Sequence, residues 1–130
     1  MSAILVALQA KRRLLAGEGV SMKEVRKAEN ELGLSFSKEY KDYLQAYGIA
    51  AYGGHELTGL SKSPRTNVVT VTKLEREKNP SISEDLYVIE QTNVEEVVVW
   101  QSTKGAIYYS SPNNPLTKLC DSLTDYIEKH

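Results

Sequence analysis

The stretch VRKAENELGLSFSKEYKDYLQAYGIAAYGGHELTGL, residues 25–60, decides the reading of the fold. Met22, Val25, Ala28, Glu29 and Leu32 recur at steps of three and four, the spacing of one helix face, and Gly33 closes the segment. Ser21-Met22-Lys23-Glu24 supplies its start, because the Ser21 hydroxyl can accept from the free backbone N–H of Glu24. Ser37 opens a second helix, in which Tyr40, Tyr43, Leu44 and Tyr47 form one apolar stripe before Gly48. Gly53, Gly54 and Gly59 then mark a loop over residues 49–63, with a short strand expected at Glu56–Leu60.

Outward from this stretch the pattern continues. Residues 3–15 read as a first helix, with Ile4, Leu8 and Leu15 on one side and Gly17 and Gly19 past its end. Residues 67–78 are ambiguous. Val68, Val69, Val71 and Thr72 favour a strand, whereas Leu74 to Lys78, with Asn67 as a cap, favour a helix. Leu86–Ile89, Val94–Trp100 and Ala106–Tyr109 read as strands, the last two joined by a turn at Ser102-Thr103-Lys104-Gly105. Alternation sets Val94, Glu96, Val98 and Trp100 on one face and Glu95, Val97 and Val99 on the other, with Trp100 buried. Asn113 to Pro115 break the chain, and Leu119, Leu123, Tyr126 and Ile127 mark a closing helix. Helices first, a central antiparallel sheet and a final helix make an α+β domain. With 130 residues the chain fits one such domain.

The net charge of −1 excludes a polyanion binder, yet the charge is uneven. Residues 1–65 carry ten Lys/Arg against seven Asp/Glu, and residues 66–130 carry six against ten. From Asn79 to Thr103 there is no basic side chain, while Glu84, Asp85, Glu90, Glu95 and Glu96 all fall there. Such a window either steers a basic partner or is a solvated face without one. The basic residues of the first helices, Lys11 to Arg13 and Lys23 to Lys27, are interleaved with Glu18, Glu24, Glu29 and Glu31, so nucleic-acid binding is not expected. Cys120 is the only cysteine and forms no internal disulfide. The apolar run Ala3–Leu8 precedes its positive charges, the reverse of a secretory signal. No apolar stretch approaches the ~20 residues that span a bilayer. A cytoplasmic protein is expected.

Catalytic motifs are missing. His55-Glu56 has no second histidine at helical spacing, and no Cys-x-x-Cys pair exists, so no metal site is expected. Gly17-Glu18-Gly19 lacks the third glycine of a dinucleotide loop, and Ser61-Lys62-Ser63 lacks the glycine of a phosphate loop. Ser35-x-x-Lys38 stands without the companion motifs of a serine hydrolase. The residues point to neither an enzyme nor a cofactor.

A family resemblance is carried by Ala28-Glu29-x-x-Leu32-Gly33-Leu34, Phe36-Ser37-x-Glu39-Tyr40-x-x-Tyr43-Leu44, Tyr47-Gly48 and Gly53-Gly54-His55-x-Leu57-x-Gly59-Leu60. This resembles the opening of SUKH-superfamily domains, which include yeast cell-wall regulators and many bacterial immunity proteins. Leu86–Glu90, Val97–Tyr109 and Cys120–Ile127 are similar to the family's later strands and closing helix, so the resemblance covers residues 22–128. Ser37 replaces the usual proline, and Tyr47-Gly48 replaces the commoner Asn-Gly.

The resemblance implies a single SUKH-like domain over residues 1–130, a helix at 67–78, and a non-enzymatic immunity protein that binds a bacterial toxin, often a nuclease. Alternatives are a cytosolic adaptor of the same fold, or a small hydrolase or nucleotide-binding protein. Tyr52, His55, Glu56, Glu84, Asp85, Glu90, Glu95, Glu96 and Tyr109 are the expected partner contacts. Tyr47, Trp100 and Tyr108 are further aromatic candidates.

Overall fold

A computed structural model describes residues 2–130. Five helices surround two antiparallel sheets. The helices are α1 (Ala3–Gln9), α2 (Met22–Leu32), α3 (Lys38–Tyr47), α4 (Val68–Lys78) and α5 (Leu123–Lys129). A small sheet joins β1 (Leu15–Ala16), β2 (Ala50–Tyr52) and β3 (His55–Glu56). The main sheet is a meander of β4 (Leu86–Gln91), β5 (Val98–Ser102), β6 (Ile107–Ser111) and β7 (Asn114–Cys120).

The deciding stretch folds as its capping residues require. Ser21 Oγ accepts from Glu24 N and Ser37 Oγ from Tyr40 N, each satisfying a backbone donor that the first helical turn leaves free. The tyrosine stripe of α3 is buried with its hydroxyls paired. Tyr40 Oη meets Thr58 Oγ1 at 2.8 Å, and Tyr43 Oη donates to the Thr58 carbonyl at 2.7 Å. Tyr87 from β4 joins them, its ring 4.8 Å from Phe36 and its hydroxyl accepting from Ser37 N. Gly59 is needed because the chain after β3 crosses the end of α3. A Cβ there would lie 1.9 Å from the Gly48 carbonyl oxygen, which instead accepts from Leu60 N at 2.9 Å.

Residues 67–78 are a helix. Asn67 Oδ1 accepts from both Val69 N and Thr70 N, and this local cap overrides the β-branched run. Strands β4 and β5 are buried on both faces. Tyr87, Ile89, Val99 and Ile107 meet α1, α2, α3 and α5, while Leu86, Val88, Val98 and Trp100 pack with Val71 of α4. Trp100 is fully buried, with Nε1 donating to Ser110 Oγ.

Four local expectations change. The first helix stops at Gln9, because Leu15–Ala16 pairs with β2 instead, leaving Leu15 72 % exposed. The strand expected at Glu56–Leu60 is only His55–Glu56, after which Leu57 and Gly59 make single bridges to Glu90 and Asn67. The strand expected from Val94 starts at Val98, since Glu95 and Glu96 take left-handed backbone with φ of 52° and 56°. Leu119 belongs to β7, which pairs with β6 and already includes Asn114 and Pro115, the turn being Pro112–Asn113.

Candidate functional site

The structure divides the acidic window rather than gathering it. Glu84 and Asp85 are exposed just before β4, where the Asp85 carbonyl accepts from Thr103 N. Glu95 and Glu96 are exposed in the turn at the opposite end of the β4–β5 hairpin. A six-residue strand of about 20 Å separates the two acidic pairs. Glu56 is exposed but ion-paired with Arg65 at 2.7 Å, a hydrogen bond that holds its carboxyl below the usual range. Tyr109 is half-buried on β6 opposite Val99.

Glu90 and Tyr52 lie inside, contrary to the expectation that they face a partner. Glu90 is 2 % exposed, and the cause is a β-bulge between Val88 and Glu90. Val88 pairs with Trp100 but Glu90 pairs with Val99, so the extra residue turns Glu90 toward α5. There its carboxylate accepts from Tyr126 Oη at 2.5 Å and from His55 Nδ1 at 2.9 Å. His55 thus reaches across to a residue 35 positions away in the chain. Tyr52 packs against the His55 ring at 5.2 Å, with Lys11 Nζ 5.1 Å from the Tyr52 ring centroid. Burial and the neighbouring Glu90 push the Tyr52 hydroxyl well above the ordinary tyrosine range. Burial does the same to Tyr126, reinforced by its bond to Glu90. The Glu90 carboxylate is engaged from two sides, while the buried Tyr52 hydroxyl beside it has no hydrogen-bond partner.

The open counterpart is on the other face of the sheet. A cavity of about 590 Å³ has walls from three places: Glu75, Lys78 and Asn79 at the end of α4, Gln91, Glu95 and Glu96 at the β4–β5 turn, and Ser110 and Ser111 of β6. Glu75 is 5 % exposed; its Oε2 accepts from Gln91 Nε2 at 2.9 Å, with Lys78 Nζ at 3.7 Å. The bulge serves this site also, because it sets Gln91 opposite Val98, on the face away from Glu90. Glu75 was not among the residues singled out in the sequence. Its signal was present: Val68, Val71, Thr72 and Glu75 share one buried helical stripe, and a carboxylate in such a stripe is unusual. Of the expected contacts only Glu95 and Glu96 line this cavity.

A concavity of equal volume runs along α2, lined by Lys23, Arg26, Lys27, Asn30 and Glu31. It comes from one helix surface, without walls from other elements. Among the described residues no group of three or more His, Cys, Asp or Glu is placed to hold a metal ion, and no helix is long and apolar enough to cross a membrane.

The SMI1-KNR4 cell-wall family model of the SUKH group matches residues 1–130. The chain belongs to this family. Its fold is similar to that in the crystal structure of a protein from Pseudomonas syringae pv. tomato, with a TM-score of 0.69 at 16 % identity. That likeness covers 95 % of this chain and 92 % of the other, and shows a shared α+β fold. No curated protein matches the chain.

Proposed function

We propose that this SUKH domain is a bacterial immunity protein that binds a toxin, a basic nuclease domain, and silences it by direct contact without catalysis. The observation that supports the reading is the walled cavity with Glu75 in its floor and Glu95 and Glu96 at its edge, in a family that includes immunity proteins. A nuclease surface that grips phosphates is basic, so a carboxylate-lined concavity complements it and competes for the same cations. The Glu90 cluster is assigned a structural role, because both oxygens of its buried carboxylate are taken up by Tyr126 and His55.

The test is a pull-down from the native host lysate, followed by co-expression of the recovered toxin domain with the wild-type chain. A captured toxin whose activity is lost at equimolar ratio is the expected result. Recovery of housekeeping proteins alone, with no rescue of a toxin encoded nearby, overturns the reading in favour of an adaptor. Reversal of Glu95 and Glu96 to Lys should slow toxin association several-fold at low salt and much less at high salt. Equal rates for the folded double variant at both salt levels would remove the acidic edge from the mechanism.

A further inference from the structure

We infer that the cavity at the end of α4 is a receptor for a guanidinium group, an arginine side chain that the partner inserts, with Glu75 as the anchor. The inference rests on the reading of the chain as a binder of a basic protein and names the group it grips.

The argument is one of donors and acceptors. Gln91 Nε2 is committed to Glu75 Oε2, and Asn79 Nδ2 to the Glu75 carbonyl at 2.9 Å. An amide that spends its nitrogen in this way presents its oxygen. Among the described residues neither the Gln91 nor the Asn79 side-chain oxygen has a hydrogen-bond donor, and the second Glu75 oxygen has none either. All three residues line the same cavity. Around Glu75 the site therefore offers acceptors, which suit a ligand rich in donors.

Charge selects a cation among such ligands. Glu75, Glu95 and Glu96 face one resident base, Lys78, which lies 3.7 Å from Glu75 with its side chain 70 % exposed and is free to swing outward. Asn79 caps the carbonyl end of α4, whose dipole adds negative potential to that wall. Acceptors contributed from two sides, Glu75 and Asn79 at the end of α4 and Gln91 of β4, suit a planar fork of five N–H donors better than the compact ammonium of lysine. Val97 and Pro112 line the cavity too and give the methylene stem an apolar contact.

The test is an amide NMR titration of the intact protein with N-acetyl-arginine N-methylamide, its lysine counterpart, and sodium chloride at matched ionic strength. Saturable shifts at the Gln91 and Asn79 side-chain amides, with half-saturation near ~1 mM for arginine and several-fold weaker for lysine, are expected. In Glu75→Gln the arginine shifts should weaken at least tenfold while the rest of the spectrum stays native. Wild-type shifts no larger than those from salt, or saturable shifts that survive Glu75→Gln unchanged, overturn the assignment. Saturation by arginine together with failure to find any toxin would sink the immunity reading and leave the receptor standing. A captured toxin that binds Glu75→Gln at full affinity would do the opposite.

Discussion

Glu90 and Glu75 are both buried glutamates, and one bulge in β4 turns the neighbouring Glu90 and Gln91 toward their separate sites. Glu90 receives a tyrosine hydroxyl and an imidazole from α5 and β3, and the space around it is filled by Tyr52 and its neighbours. Glu75 receives one amide, has a lysine at the edge of ion-pair distance, and faces a cavity. Burial of a carboxylate is therefore no signature of function by itself. What separates the two carboxylates is capacity left over: one with both oxygens paired stabilises the fold, and unused acceptors beside open space await a ligand.

The comparison breaks most visibly at high pH. Burial raises the hydroxyls of Tyr40, Tyr43, Tyr52, Tyr87 and Tyr126 above their ordinary value, and two of these belong to the Glu90 side. Each holds its proton in the fold to a pH at which the unfolded chain has released it. The stability they contribute is thus full below about pH 10 and is lost as pH rises beyond it. Because five tyrosines act in the same direction, the domain should unfold in alkali above about pH 10. Circular dichroism and tyrosinate absorbance should change together in one cooperative step. Gradual ionisation within an intact fold would show that these hydroxyls are less enclosed.

Next in size is Glu90→Ala. It leaves the buried Tyr126 hydroxyl and the half-buried His55 ring without their partner and should cost about 3 kcal/mol, read as a shift in the urea midpoint. A loss below ~1 kcal/mol would mean that the cluster is not the structural half of the pair. Glu75→Gln keeps the shape of the side chain and removes a charge with one firm partner. Its effect on stability should stay within about 1 kcal/mol of wild type, by the same denaturation. Equal costs at Glu75 and Glu90 would erase the contrast.

How much of this the sequence showed follows from range. Ser21, Ser37 and Asn67 act within three residues of themselves, so their helices are legible locally, and β5 carries its two faces in plain alternation. Residues 67–78 needed the family resemblance to outweigh their valines. Strand β7 was missed because it is exposed almost throughout and owes its existence to pairing with Tyr108 and Tyr109. The acidic window looked continuous because charge counted along a chain ignores the bulge that hides Glu90 and the strand that parts Glu84 from Glu95. Glu75 escaped for a related reason: its stripe had no face to line until the sheet beneath α4 was known.

The smallest effect tests why Glu95 and Glu96 stand where they do. Both occupy left-handed backbone, as Asn93 does at φ 60°, and a non-glycine residue there is strained, asparagine least. A turn shaped by folding alone would favour Asn or Gly at these positions. Glu96→Asn should therefore stabilise the domain by about 0.5 kcal/mol while weakening toxin association at low salt, a trade expected where a residue serves a partner more than the fold. Urea denaturation and association rates on the same variant read both halves. A destabilised Glu96→Asn would show that the carboxylate supports its own turn, and the edge of the cavity would then belong, like Glu90, to the structure alone.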